Sequence, residues 1–435
     1  MPSLSPTGAT TAPTLQHFTL DNGLKVYLRV DRRTALACAQ LWYQVGASLE
    51  PTGQSGLSHL LEHMMFEGSS KLAPGQYSRL IEHLGGAANA FTTHDATCFY
   101  MTLPVSRIEI ALEAMADAMA SATLGESPFD RELAVVMAER RAQVDNMPLG
   151  LAYEQHNALA HTGSAYATPV IGHRKDLERM TSRAMRDWHR QWYRPNNAAL
   201  VVVADMTLAQ LKTMVTRHFN DIAAQPLPPR TIPRAATELH RREQTLTLPG
   251  LRDGVLISFN APSLATAILP AQPHALRLIC HILTQGTSSR LARQLVTTEE
   301  LLLGVRSDYT HLSRGDDLWT LAAYTSAKTT VHAAAERVLE QIDLLRTTPP
   351  TAQELKRAKV RLLAELTFSR DDIDQQATAI GQAYVGGQDP HLLDQETRLI
   401  SQVSAAQVQE AAQAWLTRER MTITYLQRKE QHADE

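Results

Sequence analysis

"GLSHLLEHMMFEGSS" runs from Gly56 to Ser70 and sets two histidines and a glutamate among leucines and methionines. On a helix at 100° per residue, Leu57, Leu60, Leu61, Met64 and Met65 follow the i, i+3, i+4, i+7, i+8 rule of a core-facing stripe. His59, Glu62 and His63 fall on the opposite side, within about 100° of one another. Histidines at i, i+4 lie one above the other and can both reach one metal ion. A glutamate one residue before the second histidine sits beside that ion and can take a proton from water, the H-x-x-E-H arrangement. The same three residues, His59, Glu62 and His63, also fit a polar outer face of a helix.

A catalytic zinc site takes three protein ligands and keeps one position open. Two histidines leave one ligand to find, and a carboxylate on another element is the usual completion. The stretch "PFDRELAVVMAERRAQVDN" (Pro128–Asn146) begins with Pro and Asp and reads as a long helix carrying Glu132 and Glu139. Seven residues are about two turns, so both acids lie on nearly the same face, and spacing alone does not choose between them.

Working outward, "HMMFEGSSK" from His63 aligns with "HILTQGTSS" from His281, and Gly68 falls on Gly286. "RELAVVMAER" (from Arg131) likewise resembles "QELKRAKVRL" (from Gln353). The chain reads as two copies of one domain, an internal duplication. The second copy places Arg277 and Cys280 where the first has His59 and Glu62, so the chemistry belongs to the first half. "FTLDNGLKVYLRVD" (Phe18–Asp31) is a hairpin turning at Asp21-Asn22-Gly23. "LACAQLWYQVGA" (from Leu36) and "NNAALVVVAD" (from Asn196) are apolar strands, and "ANAFTTHDATCFYMTLP" (Ala88–Pro104) is a strand pair. The expected fold is α+β, with two homologous domains, each a mostly antiparallel sheet with helices packed on it. Residues 1–16 read as a disordered arm, 17–221 as the metal-bearing domain, and 238–435 as the second copy. Between them, 222–237 carries four prolines and reads as a semi-rigid linker.

The 435 residues, 44% hydrophobic, supply ample core for more than one domain. A net charge of −3 gives no basic excess for nucleic acid or anionic lipid. Cys38, Cys98 and Cys280 are too sparse for a disulfide framework and read as buried apolar residues. No segment is long and apolar enough to span a bilayer, and the N-terminus lacks a signal-peptide pattern. As written the protein is expected in the cytoplasm, or in the periplasm if a leader has been removed. His94, His156, His161 and His173 stand in loop-like contexts and read as surface or hydrogen-bonded histidines. "DDID" (Asp371–Asp374) reads as a helix cap rather than a calcium loop.

The chain resembles the M16, pitrilysin-like zinc peptidases, in the short class that includes the mitochondrial processing peptidase. The resemblance rests on "LDNGLKV", "VGASLEPTGQSGLSHLLEHMMFEGS", "GGAANAFTTHDATCFYMTLP", "RELAVVMAERR", "HRQWYRPNNAALVVVAD" and "GTSSRLARQL" in that order. It implies one zinc per chain, held by His59 and His63, with Glu62 as general base. The family's third ligand is a glutamate about 76 residues past the second histidine, which selects Glu139. Glu132 matches a second carboxylate that supports catalysis. Substrate is expected to add as a strand along Asn89, Ala90 and Phe91. Phe66 and Phe91 match positions lining a hydrophobic side-chain pocket.

One departure is informative. Complete family members carry an Arg and, seven residues on, a Tyr in the second half, which contact substrate and stabilise the oxyanion. Val296 and Leu303 stand at those positions here; Arg306 and Tyr309 offer the pair only in another register. The expectation is a zinc-bearing endopeptidase subunit acting on peptides in an enclosed chamber. Its partner would be a zinc-free sibling that supplies the pair, with a homodimer as the form taken alone. The alternative is a non-catalytic subunit of the same family.

Overall fold

The computed structural model describes residues 14–236 and 239–429. The first sheet contains β1 (Gln16–Thr19), β2 (Lys25–Val30), β3 (Leu36–Tyr43), β4 (Ala87–Thr92), β5 (Thr97–Pro104) and β6 (Ala198–Ala204). The second contains β7 (Arg242–Leu248), β8 (Gly254–Ala261), β9 (Leu302–Tyr309), β10 (Asp317–Thr325) and β11 (Met421–Arg428). Their orders are β1-β2-β6-β3-β5-β4 and β7-β11-β8-β10-β9. With the extra strand β1 set aside, exchange β2, β6, β3, β5, β4 for β7, β11, β8, β10, β9 and the two orders coincide. Each sheet has one parallel pair, β2–β6 and β7–β11, and is otherwise antiparallel. The duplication is therefore written in topology as well as in sequence. The expected hairpin forms: Leu20 and Leu24 close the turn and Gly23 takes φ 87°, where a Cβ would meet Asn196 at 2.8 Å.

The helices α1 (Leu57–Met64), α2 (Gln76–His83), α3 (Ile108–Ser121), α4 (Glu126–Arg140) and α5 (Pro148–Ala160) belong to the first half. Leu57, Leu60, Leu61 and Met64 of α1 join Leu41, Tyr43, Phe99 and Met101 of the sheet in the first core. Wide apolar burial of this kind, at roughly 25 cal/mol per Å², is what holds α1 in place. In the second half, the helices Ala271–Leu283, Val331–Thr347 and Ala405–Trp415 cover one face of the second sheet in the same way.

The opposite faces of the two sheets are covered by exchange. Helix Ile373–Val385, from the second half, lays Ile373, Ala377, Ile380 and Tyr384 on Cys38, Trp42, Ala199 and Val201 of the first sheet. Helix α5, from the first half, packs Ala152 against Leu256, Ala322 and Leu426 of the second sheet. The sequence boundary between the halves is thus not the packing boundary. Gly381 permits the close approach: a Cβ there would lie 2.1 Å from the Trp42 ring. Asp372 caps this helix by accepting from the backbone N–H groups of Asp374 and Gln375, as read from "DDID".

Three expectations are corrected in detail. Residues 1–13 lie outside the described part of the chain, but Leu15 is buried and Gln16 opens β1, so the arm does not extend to residue 16. An apolar side chain with a groove to fill ends it. His156 and His161 are not loop histidines; both are buried, on α5 and at its end, where the helix meets the second sheet. The long helix after Pro128 starts earlier, at Glu126, and beyond Arg140 it widens into a π-helical turn at Arg141–Asp145. The described part of 222–237 has no regular secondary structure. All three cysteines are buried and unpaired. Among the described residues no helix is long and apolar enough to cross a membrane.

Candidate metal centre

Helix α1 begins without a side-chain cap of its own. Gly56, at φ 87°, is its N-cap, and Glu50 reaches over to accept from the N–H groups of Gly56 (2.8 Å) and Ser58 (2.6 Å). Those are the free donors every helix start must satisfy. The helix then presents His59, Glu62 and His63 away from the first core, as its period requires. Helix α4 crosses this face.

One ligand-capable atom from each of His59, His63 and Glu139 lies within 4.8 Å of the others. Glu139 Oε2 is 3.8 Å from His59 Nε2 and 3.6 Å from His63 Nε2. Those gaps are too long for hydrogen bonds. They approach the separation, about 3.4 Å, of two ligands on one tetrahedral zinc with bonds of about 2.0–2.1 Å. Two neutral imidazoles and one carboxylate are also the donor set that zinc takes. The residues fit the ion.

The structure separates the two acids of α4 that spacing leaves equivalent. Glu139 faces the Nε2 edge of both imidazoles, whereas Glu132 Oε2 lies 3.3 Å from His63 Nδ1. Glu132 thus grips the far side of the His63 ring. Burial, with His63 alongside, pushes the His59 imidazole down to about 4, so it stands neutral with a free lone pair. Burial pushes the Glu62 carboxyl up to about 6; the Thr92 hydroxyl, donating at 2.6 Å, and His63 oppose that rise, and Glu139 adds to it. A carboxyl poised near neutrality is suited to exchanging protons.

Asn89, Ala90 and Phe91 lie on β4, which among the described residues pairs only with β5 and leaves its other edge unpaired near α1. Alternation then divides their side chains. Ala88, Ala90 and Thr92 face the first core and the centre, while Phe91 points to the opposite face, against Trp42 and Tyr100. Phe66 packs on Tyr77 and Phe99, on the side of the centre. The expectation that Phe66 and Phe91 line one pocket is therefore corrected: the sheet lies between them.

Two residues of the site, Thr92 and Gln143, carry no motif that marks them in the sequence. Gln143 donates to Glu139 Oε1 at 2.8 Å, one helical turn on. Thr92 follows Ala90 by two residues, and β alternation alone assigns it to the same face.

In the second half Arg361 takes the place of Glu139, and Arg277 that of His59; His281 is left with Glu365 at 3.5 Å. Val296 packs partly into the second core and Leu303 is exposed on β9, the outermost strand of its sheet. Tyr309 is buried, donating its hydroxyl to the Pro262 carbonyl, and Arg306 lies on the exposed face donating to Tyr153. The alternative register places its two residues on opposite faces of β9, so they form no pair.

Two family models match the chain in succession. Insulinase (Peptidase family M16) matches residues 25–172, and the Peptidase M16 inactive domain matches residues 179–362. The chain belongs to peptidase family M16. It is 26% identical over 358 residues to the zinc protease PqqE of Helicobacter pylori, covering 81% of this chain and 79% of that one. Over 202 residues it is 25% identical to the bovine (Bos taurus) mitochondrial-processing peptidase subunit beta, covering 46% of this chain and 41% of that one. The crystal structure of a protease from Helicobacter pylori superposes with a TM-score of 0.89 at 23% identity, covering 95% of this chain and all of that one. That likeness speaks for the fold.

Proposed function

We propose that this chain is the metal-bearing subunit of a zinc-dependent endopeptidase. The observation that carries the reading is the convergence of His59, His63 and Glu139, on two helices, with the Glu62 carboxyl beside them. His59 and His63 would hold the ion through Nε2 and Glu139 through a carboxylate oxygen. Zinc bound there would supply Lewis acidity, polarising the scissile carbonyl and acidifying a water molecule.

The rest is the work of the chain's own side chains. Glu62 accepts the proton of the attacking water and delivers it to the leaving amine. The Thr92 hydroxyl holds that carboxylate in place. Glu132 accepts from His63 Nδ1–H, which fixes the tautomer that leaves Nε2 free. The open edge of β4 at Asn89, Ala90 and Phe91 takes up an extended peptide through main-chain hydrogen bonds, a mode tolerant of sequence. Thr92, the last residue of that strand, ties it to Glu62.

At Val296 and Leu303 the chain has no side-chain donor for a developing oxyanion. A zinc-free sibling subunit supplies it in this reading, and the two subunits enclose a chamber that admits unfolded segments. The name of the bovine relative, a subunit, supports that arrangement. The test pairs metal analysis with a quenched peptide. Glu62→Gln is expected to retain about one zinc per chain and to lose turnover by about 10²–10⁴-fold. Cleavage at the wild-type rate by this variant would remove Glu62 as the base.

A further inference from the structure

Glu139 is followed by an arginine that solvent hardly reaches. Arg140 is 5% exposed. Its Nη1 and Nη2 donate to the two oxygens of Glu154 on α5, each at 2.9 Å, and Nη1 also donates to the Gly172 carbonyl at 2.5 Å. Its Nε stands 3.2 Å from Asp145 at the end of the π-helical turn. A two-pronged Arg–carboxylate pair fixes the orientation of the guanidinium as well as its position.

Gly172 is the other end of the connection. It takes φ 84°, and a Cβ there would lie 2.5 Å from the Ser55 carbonyl and 2.6 Å from Gly56 Cα. Gly56 is the N-cap of α1. So Arg140, the neighbour of one candidate ligand, bonds the residue packed directly on the start of the helix that carries the other two. Helices α1 and α4 run antiparallel here, with Glu132 near the His63 end and Arg140 near the Gly56 end. The contact closes the frame at the point where a small rotation of α4 would swing Glu139 away.

The second half shows that the fold itself does not demand this arginine. Aligned through "RELAVVMAER" and "QELKRAKVRL", Arg140 corresponds to Leu362, an ordinary core residue 3% exposed, and Glu139 to Arg361. The helix Ala352–Ser369 continues past both without a π-helical turn. The copy without the ligand carboxylate also lacks the buried arginine and its turn, yet keeps the same sheet order.

We infer that Arg140, with Glu154 and Gly172, is a positioning device that holds Glu139 at the ligand distance from His59 and His63. The inference rests on the zinc-site reading above. Arg140 acts through Glu139 and touches neither substrate nor ion. Lysine cannot reproduce the two-pronged pair, so Arg140→Lys is the diagnostic change.

The experiment is chelator competition for zinc on the full chain, with cobalt(II) absorption as a second readout. Arg140→Lys is expected to weaken zinc binding by about 10–100-fold, the usual effect of removing a group that orients a ligand. In a Glu139→Ala background the same change is expected to add little, because its route to the ion is already gone. Arg290→Lys is the control. It breaks a comparable Arg290–Glu354 pair in the second half, at 2.8 and 3.2 Å, and is expected to leave zinc affinity unchanged. Wild-type affinity in Arg140→Lys, an equal loss in Arg290→Lys, or full additivity with Glu139→Ala would each overturn the inference while leaving the zinc reading standing. A wild-type chain that binds no zinc would overturn both.

Discussion

His63 and Glu132 are joined across two helices: Glu132 Oε2 lies 3.3 Å from Nδ1 of the imidazole, on the edge opposite Glu139. One histidine ring is therefore held between two acids of α4, seven residues apart. In the proposed reading the two carboxylates then have different tasks, and a first prediction follows.

Replacing Glu132 by Ala frees the His63 ring and removes the acceptor for its Nδ1–H. Zinc affinity is expected to fall by about 10–100-fold, with Glu132→Gln milder because its amide oxygen still accepts. Replacing Glu139 removes a proposed ligand and is expected to cost more than either. Chelator titration of the three variants ranks them, and a Glu132→Ala chain as tight as wild type would leave this contact without a role in metal binding.

The exchange of helices makes a prediction about stability rather than chemistry. Gly381 of helix Ile373–Val385 sits where a Cβ would be 2.1 Å from the buried Trp42 ring. Gly381→Ala is expected to lift that helix from the first sheet and to destabilise by about 1–3 kcal/mol, the range for overpacking a close-packed site. The urea midpoint is the measurement. The site on α1 and α4 lies on the other side of the sheet, so zinc stoichiometry should hold. An unshifted midpoint would mean the indole can yield.

These cases show what the sequence makes legible. The two faces of α1 are readable because apolar residues recur at helical spacing, and Leu57, Leu60, Leu61 and Met64 are buried as that spacing requires. The duplication is readable from a glycine and a histidine at one offset. The choice between Glu132 and Glu139 is not readable from spacing, since two turns return to the same face; it takes the family pattern, and then the two edges of one imidazole, to part them. The exchange of α5 and Ile373–Val385 is hidden for a different reason. A helical period says that one face is buried and is silent about which sheet buries it. The same silence hides the burial of His156. The opposed faces of Phe66 and Phe91 are open to a parity argument, because Ala90 and Phe91 cannot both face α1 from one strand.

The apolar pair Val296 and Leu303 predicts dependence on a second chain. With the proposed pairing, a quenched peptide is expected to be cleaved at least about 10²-fold more slowly by the chain alone than by the chain with a zinc-free sibling of the kind proposed above, the usual effect of a missing oxyanion donor. Zinc content should be the same in both samples. Full activity from the chain alone would rule out the need for a sibling.

The last prediction concerns pH and the helix that crosses to the second half. His156 is buried where α5 meets β8 and β11, its Nδ1 2.8 Å from Thr424 Oγ1 and its Nε2 2.9 Å from Ser258 Oγ. Burial pushes its imidazole down to about 4 from an ordinary 6.5. His161, just past the end of α5, is held down as well, by burial and by the charges of its neighbours, Arg242 among them. Well above pH 6.5 His156 is neutral in both the folded and the unfolded chain, and its contribution to stability is complete. As pH falls below 6.5 the unfolded chain takes up a proton that the folded chain refuses, and stability declines until the folded imidazole itself protonates near pH 4. Every pH unit that separates the folded titration from the unfolded one corresponds to about 1.4 kcal/mol, so the loss over this window is on the order of 3 kcal/mol. His156→Gln can still bond both hydroxyls but cannot take the proton. Its urea midpoint is expected to fall less than that of the wild type between about pH 7 and pH 5, even if it starts lower. Parallel pH profiles for the two proteins would show that the imidazole protonates in place, without loosening the junction between α5 and the second sheet.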